Sequence, residues 1–225
     1  MHALDNPFWS SLRTRHADIA RLADGVARYP VEYAPFLGVA DADADARHGL
    51  GALVEPGESV YLLGVTPPAI GGWRLEPLGE LSQMVLDAPL DAPDGPEVVA
   101  LSLAHRVDVL ELVALVYPHY FRARTMELGR YFGIYEDGRL AAMIGERLGT
   151  DGATEMSAIC THPAHAGRGL ARRLMARLGN ELIAAGQQPF LHVAQHNARA
   201  IGLYERVGFR RRRTIPFFAL HRAMG

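Results

Sequence analysis

Lysine is absent from this sequence: all 23 of its basic residues are arginine. Without a lysine amine there is no Schiff base to pyridoxal phosphate or to a carbonyl substrate, and no Walker-type phosphate loop. Cysteine occurs once, at Cys160, which excludes an internal disulfide. No apolar run approaches the ~18 residues needed to span a bilayer, and the opening MHALDNPFWS has neither the basic start nor the long apolar stretch of an export signal. These absences predict a cytoplasmic protein with no membrane partner. Charge is short of either sign: the formal net charge is -2, so nothing pulls the chain as a whole toward nucleic acid. Any anion site must be local.

What is present describes a folded chain. Its 225 residues are 49% hydrophobic and 21% charged, enough for a proper core and far from the composition of disorder. Composition breaks most clearly at DAPLDAPDGPE, residues 87–97, where three prolines sit among aspartates. That break predicts an N-terminal α+β region, 1–96, of unknown role, followed by a second domain, 97–225. In the first, the spacing of Leu12, His16, Ile19, Leu22 and Val26 predicts a helix across 8–28, and SVYLLGV predicts a strand. The run ADADADAR, 40–47, lacks the glycine turn of a hard-cation loop and reads as a solvated segment.

The second region alternates regularly. VVALSL reads as a strand, RVDVLELVALVYP as an apolar helix and RTMELGRY as a short helix. YFGIYEDGRLAAMIGERL reads as a hairpin turning on Asp137-Gly138, because that pair tolerates the positive φ such turns demand. TEMSAICTHP is a strand leading into a helix with Leu170, Leu174, Leu178 and Leu182 on one stripe. PFLHVA is another strand, NARAIGLYERV a helix closed by Gly208, and FRRRRTIPFFALHR a final pair of strands. Hairpins mixed with crossover helices predict an α/β fold on a mixed, partly antiparallel sheet.

The sharpest feature is THPAHAGRGLARR, 161–173, where a strand passes through a glycine turn into that long helix. Gly167 and Gly169 let the backbone curl and expose N–H groups, which with the positive helix end make an anion cradle. Helix first turns favour acids, yet this one has Arg168, Arg172 and Arg173 and no acid before Glu181. Each cation there costs about 0.3–1 kcal/mol against the helix dipole, a penalty that a bound polyanion removes. Dinucleotide binding fails in detail: the third glycine of G-x-G-x-x-G is Arg172, and the expected acid ~20 residues on is an amide, Gln187 or Gln188.

These residues resemble the GNAT superfamily of N-acetyltransferases, whose signature R/Q-x-x-G-x-G/A matches AGRGLA, 166–171, with Ala166 departing at the first position. HVAQHNARAIGLYERVGF resembles the family's second motif, N-x-x-A-x-x-L-Y-x-x-x-G-F, through Asn197, Ala200, Leu203, Tyr204, Gly208 and Phe209. The resemblance covers about 97–225. It implies a GNAT-like sheet flanked by helices, with acetyl-CoA as cosubstrate. The diphosphate would lie on Gly167, Arg168, Gly169, Leu170, Ala171 and Arg172, and the pantetheine arm beside Ile159, Cys160 and Thr161. Asn197 would bond that arm, and as plainly could simply cap its helix. A backbone N–H of the same strand would stabilise the oxyanion.

The reaction so implied is acetyl transfer to a primary amine of unknown identity by direct attack. A lysine-like amine costs roughly 4.6 kcal/mol to deprotonate at pH 7, an α-amino group only about 1 to 1.5. A strongly basic acceptor therefore needs a base or desolvation. The local carboxylates are Glu146 and Glu155, and the resemblance favours Glu155, on the strand that contacts the thioester in the family. Tyr204 would face the departing thiolate as acid, by hydrogen-bond donation or with a lowered phenol pKa. A catalytically silent acyl-CoA-binding module is the alternative. Residues 1–96 could be a degenerate second copy of the fold, a substrate lid or a homodimer surface. Three signals are discounted: Cys160 as nucleophile, the His162/His165 and His192/His196 pairs as metal ligands, and Arg210–Arg213 as a nucleic-acid patch, since strand side chains alternate between faces.

Overall fold

The computed structural model describes residues 2–43 and 45–224. After a 3₁₀ turn at Ala3–Asp5 come α1 (Pro7–Arg13), β1 (Arg21–Ala23), β2 (Val26–Arg28), β3 (Leu37–Val39), α2 (Arg47–Leu53), β4 (Ser59–Leu63) and β5 (Trp73–Val85). The chain continues with β6 (Val99–Leu101), α3 (Arg106–Val116), a 3₁₀ turn at Thr125–Leu128, β7 (Tyr131–Glu136), β8 (Arg139–Gly149) and β9 (Ala153–Thr161). It ends with α4 (Leu170–Ala184), β10 (Gln188–Ala194), α5 (Ala198–Val207) and β11 (Arg210–Arg222).

The fold is mixed α/β, as the sequence implies. β1, β2 and β3 form a small sheet, while the other eight strands form one large sheet in the order β4-β11-β5-β10-β9-β8-β7-β6. Every pair in it is antiparallel except β9 with β10, which a crossover through α4 makes parallel. Strands from both sides of the 87–97 segment thus share one sheet, with β5 inserted between β10 and β11. The segment itself runs along α4. Leu90 exchanges two hydrogen bonds with the Asn180 amide, at 2.7 and 2.9 Å, and Arg173 donates to the Pro96 carbonyl at 2.7 Å.

Two expectations are corrected. The helix foreseen over 8–28 stops at Arg13, where Thr14 leaves helical geometry at φ -127° and ψ -96°, and further on Asp24 and Gly25, at φ +32° and +73°, turn the chain tightly into the β1–β2 hairpin. The tertiary pairing overrides an apolar spacing that suits either structure. The last stretch is one strand with a bulge between Arg211 and Arg213, not a pair.

Packing on the two sheet faces explains which residues are core. The leucine stripe of α4, with Ile201 of α5, packs against Ile134, Ile144, Met156 and Leu191. On the opposite face, α1 and the Tyr29–Phe36 loop bury Phe190 and Ile215, and α3 covers Met143 and Cys160. Burying each such side chain contributes about 1.5–3 kcal/mol. Among the described residues no helix is long and apolar enough to cross a membrane.

Candidate functional site

The single parallel pair does not run its full length. β10 pairs with β9 only at Gln188, Pro189 and Phe190, opposite Ala153, Thr154 and Glu155, although β9 continues to Thr161 and β10 to Ala194. Beyond that rung the strands part into a wedge. Its β9 side is irregular: two residues, Ala158 and Ile159, stand opposite Ile144 alone, and Ala158 has φ +50°. A non-glycine residue there costs about 1–3 kcal/mol, strain that collects at functional sites because it re-aims consecutive backbone groups. Ile159 packs toward α4, while Cys160 is buried against α3.

At the far end of β9 the chain enters the glycine turn. Gly167 and Gly169 have φ +79° and +78°, and a Cβ built on either meets nothing within 4 Å. A side chain would therefore project into open space that a ligand can use. Among the described residues the amides of Gly167, Arg168 and Gly169 have no internal partner. Those of Leu170, Ala171 and Arg172 are free by helix geometry. Leu170 is buried and Ala171 packs on the core, so main-chain N–H is what they offer. These features fit the diphosphate of an acyl carrier.

The three arginines of this turn divide their duties. Arg168 folds back to Glu136 at 2.5 Å and to His165 at 3.0 Å. Arg173 is held by the carbonyls of Pro93 and Pro96. Arg172 is exposed without a partner among the described residues, and lines a groove of about 240 Å³ with Arg206, Leu86 and Asp91. The cationic excess foreseen at the helix start is thus partly internal wiring, with Arg172 left over for a ligand.

On the α5 side, Asn197 caps the helix, its Oδ1 accepting from Ala200 N at 3.0 Å. Tyr204 packs partly buried on the helix-side core, edge to face with Phe209 at 6.0 Å. Burial pushes its phenol up to about 12, and Cys160 and Tyr117 are near enough for their charges to act on it. Burial also pushes the Cys160 thiol up to about 12, making it an inert apolar side chain.

Glu155 sits at the vertex of the wedge, 1% exposed, and both of its oxygens are taken. Oε2 accepts from Arg147 Nε at 2.8 Å; Oε1 accepts from Arg147 Nη2 at 2.7 Å and faces His192 Nδ1 at 2.7 Å. Burial alone would raise this carboxyl, but the Arg147 charge and these bonds outweigh it and hold it well below the usual range. Glu155, the carboxylate expected as general base, thus has both oxygens engaged by Arg147, with His192 beside Oε1. Glu146 is equally occupied, by Arg15 at 2.6 Å and Arg130 at 2.6 Å. Sequence reading missed the partners of Glu155: Arg147 sits beside the noted Glu146, and His192 was weighed only as a metal ligand.

Among the described residues no three His, Cys, Asp or Glu side chains come together as a metal-holding group. In the arginine run, the bulge breaks the alternation: Arg212 and Arg213 both reach Asp5 Oδ1, at 2.8 and 2.7 Å, while Arg210 pairs with Asp87. Ala44, within the 40–47 run, lies outside the described residues.

Comparison with known proteins shows the fold and the family. Residues 131–217 match the family model of FR47-like proteins. The crystal structure of a GNAT-family acetyltransferase from Novosphingobium aromaticivorans is 34% identical, with TM-score 0.90 over 99% of this chain and 100% of that one. A GCN5-related N-acetyltransferase from Kribbella flavida, 15% identical, superposes with TM-score 0.63 over 96% and 93%. One from Sphaerobacter thermophilus, 19% identical, gives 0.51 over 73% and 61%. No curated protein matches. The chain belongs to the GNAT family of acetyltransferases.

Proposed function

We propose that this protein transfers the acetyl group of acetyl-CoA to a primary amine by direct attack, in the cytoplasm. The observation that carries the reading is continuity: the one parallel strand pair opens into a wedge that ends at the glycine turn. Amides from Gly167 to Arg172 would take the diphosphate, with Arg172 facing its outer side. The open edges of β9 at Ile159, Cys160 and Thr161 would pair with the pantetheine arm, and the free Nδ2 of Asn197 would bond it. When bound, acetyl-CoA supplies the activated acyl carbon.

The chain's own residues do the rest. The bulge at Ala158 aims backbone N–H groups at the developing oxyanion, a contribution of about 3 kcal/mol per donor in comparable sites. Tyr204, with its proton held tightly, donates a hydrogen bond to the leaving sulfur rather than giving the proton away. Glu155 stays ionised beside Arg147 and shapes the vertex. With Glu146 and Glu155 both engaged by arginine, the proton leaves through water, which favours weakly basic acceptors such as α-amino groups.

A calorimetric titration tests the binding step: CoA binds and NAD does not. Thiol release from acetyl-CoA with a panel of amines, products weighed by mass spectrometry, tests the transfer. The occupied state of Glu155 and Ala166 at the signature's first position favour the second reading, a silent acyl-CoA-binding module. Binding without thiol release would establish it.

A further inference from the structure

The hydrogen bonds behind Glu155 continue across five strands, and the chemistry of their far end fixes their direction. Arg212, anchored on Asp5, donates to Gln83 Oε1 at 2.7 Å. A guanidinium has no acceptor, so the oxygen of the Gln83 amide must face it. The amide nitrogen then donates to Leu4 O at 2.8 Å and meets His192 Nε2 at 3.0 Å. That nitrogen can only donate, so His192 Nε2 accepts, and the ring proton sits on Nδ1, pointing at Glu155 Oε1 at 2.7 Å. Gln83 is 0% exposed and the His192 side chain 2%. Both are shielded from bulk solvent.

The geometry matters because of where the last bond lands. Glu155 is the final β9 residue paired with β10, opposite Phe190, whereas His192 lies two residues further along β10, where β9 has already turned away. The imidazole reaches back across the opening to the last rung. We propose that His192 and Gln83 are positioning residues: a brace from β10 to β9 that sets how widely the wedge opens for its ligand, with the Leu4–Asp5 turn as its outer anchor. This rests on the reading of the wedge as the acyl-carrier site. It also gives the N-terminal region a task, since Leu4, Asp5 and Gln83 all come from it.

Two isosteric substitutions separate the brace from simple packing. In His192→Asn the amide nitrogen occupies the place of Nδ1 and keeps the bond to Glu155; in His192→Gln the amide oxygen occupies that of Nε2 and, accepting from Gln83, keeps only that side. Amide exchange at Phe190 and Leu191 needs no ligand: we expect it to stay within about threefold of wild type in the first variant and to accelerate about tenfold in the second, the scale of one buried hydrogen bond. Acetyl-CoA affinity should fall in the same order. Equal exchange in the two variants, or the reverse order, overturns the brace. So would long-range ¹⁵N spectra of wild type with the proton on Nε2. Wild-type protein that fails to bind acetyl-CoA tells instead against the carrier site, with exchange still deciding the brace.

Discussion

Two buried glutamates on neighbouring strands, Glu146 on β8 and Glu155 on β9, are each 1% exposed and each gripped by arginine, yet they serve different ends. Arg15 of the α1–β1 connection and Arg130, before β7, hold Glu146, and the Arg15 and Arg130 side chains are 30% and 49% exposed. That pair staples the N-terminal segment to the sheet and can be re-solvated if broken. Arg147 is only 15% exposed, and its partner stands at the vertex of the wedge. The same ion-pair chemistry is a staple in one place and, in the function proposed here, the hinge pin of the acyl-carrier wedge in the other. Position on the sheet decides the role.

The largest effect should come from Arg147→Met, which leaves the buried Glu155 charge without its guanidinium and with only the His192 N–H beside it. Unfolding in urea should show a loss of about 3–5 kcal/mol, with weakened acetyl-CoA binding in whatever protein remains folded. Glu146→Gln should cost less, about 1–3 kcal/mol, because its arginines turn to solvent. Its acetyl-CoA affinity should stay within about twofold of wild type, about 0.4 kcal/mol. Equal losses of affinity in both variants would erase the distinction between staple and pin.

Binding can also be lost away from both glutamates. Gly167→Val puts a β-branched side chain at positive φ and into the cradle, so calorimetry should show acetyl-CoA affinity at least about tenfold weaker, or about 1.4 kcal/mol. Tyr204→Phe should lower kcat about tenfold with little change in acetyl-CoA affinity, a barrier increase of about 1.4 kcal/mol. Unaltered kcat, with chemistry limiting turnover, would remove Tyr204 from the mechanism.

A last effect is in acid. Both glutamates ionise below their ordinary range in the folded state, so their stabilisation is complete above the unfolded value near 4.3 and disappears as pH falls through the folded one. For Glu155 that window runs from about 4.3 to about 2. Tm measured across it should fall less steeply in Glu155→Gln than in wild type.

Much of residues 97–225 is legible because local signals and packing agree there. Asp137-Gly138 turns the hairpin where the sequence says, and the leucine stripe of α4 meets the sheet. The same signal at Asp24-Gly25 is hidden by an apolar spacing that suits a helix, and only the β1–β2 pairing settles it. The long β5 is invisible for another reason: residues 73–80 are largely exposed and lack alternation, and the strand exists because β11 pairs along its whole length. At the site, main-chain features can be read from glycines, since only they take that backbone without strain. The partners of Glu155 cannot. Arg147, His192, Gln83 and Asp5 are separated by up to 187 residues of numbering and meet only through sheet register.

The most direct test is a crystal structure with CoA bound. This account predicts diphosphate oxygens on the amides between Gly167 and Arg172 and the arm lying between β9 and β10 beyond Phe190. A carrier found elsewhere on the molecule, with those amides left to solvent, would contradict it.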